Sequence, residues 1–561
     1  SFPVHPDGGY IGFVALKSGD FTFDITAHLK PAPNVKKHSS VLAKGSVKVI
    51  VPSAPRTPSR DTLRITGAYH PPKGDLALRS NDLLEVAFQG TPGAVAWFAV
   101  PGLVDSVPMT EIPPRTQSFW GDAVFGESKL RDSVLPGGVY TGYYSIPLSA
   151  RIDTARLRYY LASSKTKAVD PAQDMPKRPG VVSDSSLYRL TCNSPEFPFT
   201  VRVKDSIIVI RHGVMAGYLA TYQPRGVDLL VVGTEADWYK VKLSENQYGW
   251  VNSAQVERLP KGVMPPRSEI RSVRHFSYPD SVVFQFPVIG MHPFRCFEDD
   301  RRKLRLQLFG VLSNTDWIRY DMRDSLIDYG SWEQPERDLY EFTLNLRQDI
   351  WGYDCYYNKG NFCLKIIRAP KDLSTLKGKR IVVDPGHSND PGSIGPSGYT
   401  EAEANLAIAL EVRDALVAHG ATVIMTRPDM RHVALADRPV IARASDCDIF
   451  VSIHNNALPD GVNPFGEFGT ASFYYHPHSI DLAKAIHTEM LKETGLPDYG
   501  VYHGNLAVIR PTSYPSVLVE CAFMMLPEQE ALIKTVKFRK QVAKAVTAGL
   551  ERFCKEFGHG R

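Results

Sequence analysis

The chain has 561 residues, of which 43% are hydrophobic and 22% charged, an ordinary balance for a soluble chain with enough length for several cores. A net charge of +5 is too mild over this length to argue for nucleic acid, and no apolar run reaches the ~18 residues of a membrane span. Seven cysteines without a CxxC pair or a Cys/His knuckle exclude a disulfide scaffold and a zinc-finger fold. At about 150 residues per domain, roughly four domains are expected. Ser1 opens the sequence with no initiator Met and no basic-then-apolar leader; a processed leader and a trimmed start both fit.

In chain order, "GGYIGFVAL", "DFTFDITAHL" and "GSVKVIVPS" are strand-like runs and predict a partial β domain over 1–51. "PSAPRTPSRD", 52–61, reads as a linker. "DLLEVAFQG", "AVAWFAVPG", "VYTGYYSIPL" and "TARLRYYLA" predict a β-sandwich of immunoglobulin-like spacing over 57–165. A second polar, Pro-containing linker covers 163–186. "DWYKVKLSENQYGWVNSAQVERL" then alternates apolar and polar residues across short turns, and resembles the bacterial SH3-like module, placed over 183–262. That module implies either wall docking or a plain spacer. Residues 265–370 are β-rich and end in "IWGYDCYYNKGNFCLKIIRAP", which resembles the closing strands of AMIN-type domains. Cys355 and Cys363 flank its turn and either face each other across a hairpin or are two small apolar strand residues.

From 371 the pattern changes to strands alternating with helical periodicity. "KRIVVD", "ATVIMTR", "CDIFVSIHNN", "LAVIRP" and "PSVLVECAF" are strands. "EAEANLAIALEVRDALVAHG", "SIDLAKAIHTEMLKETG" and "KFRKQVAKAVTAGLERFCKEF" are helices, and "DRPVIARASD" is a short one. This predicts an α/β domain over 371–561, with a mostly parallel sheet flanked by helices. Sites in such sheets lie beyond the carboxyl ends of the strands. There stand His387, after "IVVDPG", His454, after "IFVSI", and Glu520, closing "SVLVE"; Glu401, 14 residues past His387, opens the first long helix. Two imidazoles and two carboxylates on one rim include the His₂Glu set of catalytic zinc, with one carboxylate left to move protons. No GxxxxGK[ST], GxSxG or HExxH motif is present.

Residues 379–557 resemble the zinc-dependent N-acetylmuramoyl-L-alanine amidases of the Amidase_3 type. The resemblance rests on "VVDPGHSNDPGSIGPSGYTEAEANLAIA", "VIMTRPD", "LADRPVIA", "DIFVSIHNNA", "GTASFYY" and "PSVLVECAF" taken together. It implies one zinc held by His387, Glu401 and His454, with Glu520 as the catalytic glutamate. Glu403 is a rival for the place of Glu401, because "EAEANL" departs from the family's usual helix start. Ser388 and Cys521–Ala522 also depart from its pattern. The implied reaction is hydrolysis, by zinc-activated water, of the amide between N-acetylmuramic acid and the L-alanine of the stem peptide. The implied partner is peptidoglycan, the implied location periplasmic or secreted, and any protein regulator would act through the β-domains. No spare helix between His454 and Glu520 is visible that could block the site.

Two other readings stand beside this. One is a cysteine-type wall hydrolase, with Cys521 as nucleophile and His454 as base. The other is a non-catalytic wall-binding protein. Arg427 and Arg438 read as loop anchors, with substrate contact as the lesser alternative, Asn456 as without a role or orienting a ligand or substrate, and His476, His478 and His487 as surface histidines without a role.

Overall fold

The computed structural model describes residues 10–12, 14, 16–17, 19–28, 41–51, 57–60, 62–117, 133–163, 180–320, 324–458, 465–466 and 468–559. Parts of "GGYIGFVAL" and most of the two expected linkers, at 52–56, 61 and 164–179, lie outside the described residues. The chain is multidomain, with many β-strands upstream of a C-terminal unit that mixes strands and helices.

Gly19–His28 and Val41–Val51 form an antiparallel pair. Seven strands between Ile65 and Ser185 make the next sheet. Its Leu83–Gly90 strand alternates faces, burying Leu84, Val86 and Phe88 as a half-buried strand must. Leu76–Leu78, Ile152–Ala155 and Leu190–Cys192 leave that region and pair into the ten-stranded sheet formed with the strands of 199–258. The segments read as sandwich and barrel therefore share a sheet.

A five-stranded sheet and a four-stranded sheet then pack face to face over Ser268–Ile367. Phe284, Phe286 and Phe362 of one sheet interleave with Leu306, Tyr340 and Phe342 of the other in a single core. Cys355 lies opposite Leu364, and Cys363 opposite Tyr356. Neighbours across the pair share a face, so the two cysteines point to opposite faces rather than at each other.

In the C-terminal unit we label β1 (Arg380–Pro385), α1 (Glu401–Ala418), β2 (Thr422–Met425), α2 (Asp437–Ala444), β3 (Ile449–Asn456), β4 (Thr470–Tyr474), α3 (Ile480–Thr494), β5 (Asp498–His503), β6 (Ser516–Phe523), α4 (Pro527–Lys534) and α5 (Val536–His559). The sheet order is β2-β1-β3-β6-β4-β5. It is mixed: β1/β2, β1/β3, β3/β6 and β4/β5 run parallel, and β4/β6 antiparallel. On one face, α1, α3 and α5 bury Ile408, Val412, Ile486 and Val546 against Ile381, Val451 and Val519. On the other, Ala442 of α2, Tyr499 and Tyr514 cover Val382, Phe450 and Leu518. Because β1 and β3, and β3 and β6, are parallel neighbours, their carboxyl ends form one rim, and His454 sits directly beside Glu520 in register.

The sheet pair over Ser268–Ile367, called the sandwich below, is anchored to this unit. Trp351 stacks on Phe553 at 5.5 Å and meets Phe557 edge-on at 5.0 Å. Glu298 reaches across with both oxygens: Oε1 lies 2.6 Å from His478 Nδ1, and Oε2 accepts from the His478 amide at 2.9 Å. Neither side chain is exposed. His478 and His487 are therefore buried, not surface, residues. The contacts that cover them come from Glu298, far away in sequence, and from Asp498 of β5.

Candidate metal centre

The loop after β1 is built so that His387 can face α1. His387 takes the left-handed region at φ +58°, an uncommon and strained choice for a residue with a β-carbon. Two buried arginines hold it there. Arg427 Nε donates to Pro385 O at 3.0 Å, and its Nη2 to Gly386 O at 2.9 Å and Ala402 O at 2.7 Å. Arg438 donates to Pro385 O at 2.6 Å and His387 O at 2.8 Å, and its charge is met by the fully buried Asp384 at 2.8 Å. Both arginines are thus loop anchors, as their sequence context predicts.

Glu401 is the first residue of α1. Thr400 caps the helix and Glu403 returns to the Thr400 amide, a capping box. This uses Glu403 on the exposed side and leaves Glu401, 4% exposed, pointing inward. Its Oε1 lies 2.9 Å from His454 Nδ1 and its Oε2 3.2 Å from His387 Nε2. Three further donors fix it: Ser393 N at 3.0 Å, Asn405 Nδ2 at 3.2 Å and Asn455 N at 3.3 Å. Among the described residues, His387, Glu401 and His454 form a group whose potential ligand atoms lie within 4.8 Å of one another.

Two glycines make room for this group. A β-carbon on Gly386 would lie 2.1 Å from His454 Nε2, and one on Gly392 2.6 Å from Glu401 Oε2. Asp390 accepts from His387 Nδ1 and fixes that ring from behind.

The electrostatics follow. Burial pushes the Glu401 carboxyl upward, but hydrogen bonds and charge from His387 and His454 outweigh it and hold the carboxyl far below the usual range. Burial opposes protonation of His387, yet Glu401 and Asp390 together raise its pKa. Glu520 behaves in the opposite way. Its Oε2 is buried without a hydrogen-bond partner, and burial, then the charge of Glu401, raise its pKa well above the carboxylate range. The rim therefore holds one carboxylate kept ionised between two imidazoles and one that readily carries a proton.

Cys521 is fully buried, with its Sγ 4.0 Å from Val519 O, and burial holds its thiol well above its usual pKa. It offers no accessible thiolate for the cysteine-hydrolase reading. Asn456 accepts from the Ala457 amide at 2.8 Å, and its backbone carbonyl accepts from Met524 N at 2.8 Å, so it closes the strand end.

Two supports escape a reading of the sequence. Glu530 of α4, 1% exposed, takes the Ser397 amide at 3.1 Å and the Ser397 hydroxyl at 2.5 Å, pinning the loop that delivers Ser393 to Glu401. Ser388 is tied to the next loop through Val433, accepting from its amide at 3.3 Å and donating to its carbonyl at 3.2 Å. The long sequence separations involved leave no local signal for either.

Residues 381–552 match the N-acetylmuramoyl-L-alanine amidase family. The chain is 34% identical over 192 residues to the probable cell wall amidase LytH of Staphylococcus epidermidis, covering 33% of this chain and 63% of that protein. It is 33% identical over 184 residues to the corresponding Staphylococcus aureus protein, covering 32% and 60%. Among solved structures, the N-acetylmuramoyl-L-alanine amidase of Clostridium difficile 630 is 28% identical, covers 32% of this chain and 98% of its own, and has a TM-score of 0.31. The CwlD amidase of Clostridioides difficile, solved in complex with the GerS lipoprotein, is 26% identical over 32% of this chain and all of its own, with a TM-score of 0.30. This chain thus spans about 63% of the first curated relative it matches, and the matched part is confined to its C-terminal third.

Proposed function

We propose that the protein is a zinc-dependent N-acetylmuramoyl-L-alanine amidase that cleaves the bond between N-acetylmuramic acid and the L-alanine of the stem peptide. The observation that carries this reading is the convergence of His387, Glu401 and His454 next to the unpartnered carboxylate oxygen of Glu520. Two imidazoles and one carboxylate are the donor set of a catalytic zinc with an open position, and the family match over 381–552 supports that set.

His387, Glu401 and His454 would hold one zinc. Bound there, the ion would lower the pKa of water toward ~7 and polarise the scissile carbonyl. The work of the chain is to hold and move protons. Asp390 keeps a proton on His387 Nδ1 and so leaves Nε2 toward Glu401. Glu520, its pKa raised, takes the proton of the attacking water and delivers it to the leaving amine. The upstream β-domains bind or space the enzyme against the wall, which places the protein outside the cytoplasm, and a protein regulator would act through them. Among the described residues, no helix is long and apolar enough to cross a membrane.

Elemental analysis of the wild type and Glu520→Gln, each followed by incubation with purified peptidoglycan, tests this. About one zinc in both, with new L-alanine amino termini released by the wild type and slowed about 10²–10⁴-fold in the variant, is expected. No zinc, or undiminished turnover by the variant, overturns it.

A further inference from the structure

Two cysteines far apart in the sequence meet at one edge of the sandwich. Phe294–Asp300 is the last strand of the four-stranded sheet, and Gly352–Asn358 the last of the five-stranded sheet. Successive residues of a strand alternate faces, so Phe294, Cys296 and Glu298 share one face, and Tyr353, Cys355 and Tyr357 share another. Phe294 and Tyr353 belong to the core between the sheets, and Cys296, Cys355 and Tyr357 pack against it, so both rows point inward. Contacts at both ends fix how the rows meet. At one end the Phe294 and Tyr357 rings lie 6.4 Å apart, and the Tyr357 hydroxyl accepts from the His292 amide at 2.9 Å. At the other end, burial first and then the charge of Glu298 raise the Tyr353 phenol pKa. Both of those residues stand against His478, the carboxylate at 2.6 Å and the phenol ring at 6.2 Å between centroids. The rows therefore run antiparallel, and the middle residue of one faces the middle residue of the other. Those residues are Cys296 and Cys355.

The two thiols act on each other directly. After burial, the Cys296 side chain, in hydrogen-bonding reach, contributes most to holding the Cys355 thiol above its usual pKa. Cys363 stands on the opposite face of its strand pair, where its thiol meets Tyr356. The remaining cysteines, 192, 447, 521 and 554, lie in other cores. A disulfide needs two β-carbons that face each other, and one such bond spans the two sheets of an immunoglobulin sandwich.

We infer that Cys296 and Cys355 form a disulfide that staples the two sheets of the sandwich. The bond forms by exchange with an oxidised dithiol or a small disulfide such as oxidised glutathione. One cysteine thiolate attacks a reagent sulfur and expels the first reagent thiolate. The second cysteine then attacks the mixed disulfide and expels the other, so the pair loses two protons and two electrons and the reagent takes them up. A thiol kept protonated by burial exchanges slowly, so the bond is set as the sheets close and resists reductants afterwards. It joins two strands that both grip the C-terminal unit: Glu298 takes His478, and the Tyr353 amide donates to Thr512 O at 2.8 Å. The presence of an oxidant in the cell rests on the extracytoplasmic reading of the function. The pairing does not rest on it, and is read without zinc or turnover.

The test is thiol mapping of the full chain produced in an oxidising compartment. The protein is alkylated in denaturant, digested without reductant and weighed by mass spectrometry. One linked pair of peptides carrying Cys296 and Cys355 is expected, lighter by two hydrogen atoms than their sum and split by dithiothreitol, with the other five cysteines alkylated. Cys363→Ser should keep the link, and Cys296→Ser should leave Cys355 alkylated rather than joined to Cys363. Against the same chain made in a reducing compartment, hydrogen exchange over Phe294–Asp300 and Gly352–Asn358 should be at least about tenfold slower. Cys296 and Cys355 both recovered as free thiols from the oxidising preparation, a link from either one to Cys363 or to a second chain, or exchange unchanged between the two preparations would overturn the inference. The mapping uses wild type alone, so the outcome does not hang on any variant folding.

Discussion

Glu298→Leu removes one partner of a fully buried pair at the seam between sandwich and C-terminal unit. The wild-type carboxylate takes His478 Nδ1 at 2.6 Å and the His478 amide at 2.9 Å. Burial pushes that carboxyl upward, but the charge and bonds of His478 outweigh it, so its pKa is lowered and it stays ionised at neutral pH. Breaking such a pair on one side costs about 3–5 kcal/mol. Two hydrogen bonds to a charged group, at about 1.5–3 kcal/mol each, give about 3–6 kcal/mol, an overlapping range. Replacing both residues, in Glu298→Leu/His478→Leu, leaves the 478 amide and the Tyr514 carbonyl without these partners, and should recover part of the loss, to within about 2–3 kcal/mol of wild type. A chain of several domains does not unfold in one step, so a global melt is the wrong gauge. Native-state hydrogen exchange on peptides covering α3 and Phe294–Asp300 reads the local opening instead. The single variant should exchange there on the order of a hundredfold faster or more, and the double variant less so. Exchange in Glu298→Leu within about 1 kcal/mol of wild type, or a double variant no better than the single, would refute the reasoning.

Gly386→Ala should place a methyl group on the His454 ring, so zinc content falls well below one per chain and turnover is lost while far-UV circular dichroism is unchanged. Glu530→Gln should loosen the Ser397 loop and weaken zinc affinity about tenfold in a competitive chelator titration. His476 tests acid stability. Burial first, then the charge of His478, lowers its pKa from 6.5 to about 4, against the opposing pull of Glu298. Between those values the unfolded chain binds a proton that the native protein refuses, so this contribution is complete above pH ~6.5 and is lost as pH falls toward ~4. Its full size is roughly 3 kcal/mol. Local exchange around Pro477–Ser479 should therefore speed up from pH 7 to 4.5, and more gently in His476→Gln.

The site was more legible than the frame around it. His387, His454 and Glu520 each follow a short apolar strand, so chain pattern alone brings them to one rim. The choice between Glu401 and Glu403 hangs on a helix cap, and Thr400 resolves it by claiming Glu403. What the sequence hides is what comes from afar. Glu530 reaches Ser397 across 133 residues and Glu298 reaches His478 across 180, so no local period announces either contact. The same blindness made buried His478 and His487 look like surface residues. Upstream, alternating strands are visible one by one. Their partners are not: Leu76–Leu78 joins a sheet whose other strands lie more than a hundred residues on, except Ile152–Ala155. Cys355 and Cys363 show the finer limit, because one residue of register decides whether two side chains share a face.

Trp351 sets where the chain can be cut. It lies before Leu373 in sequence, yet its ring is part of the same apolar core as Phe553 and Leu550 of the last helix. A fragment beginning at residue 371 would be trimmed at a border drawn by sequence pattern and would lose a plug. It would uncover Phe553 and Phe557, leave His478 without its carboxylate, and present a greasy flank to its neighbours in solution. A fragment beginning near residue 265 takes the plug with it but bares Phe309 and Leu339, which pack in the core of the 199–258 strands. For crystallisation, for screening or for joining the C-terminal unit to another chain, the cut therefore has to fall upstream of the sheet pair over 268–367.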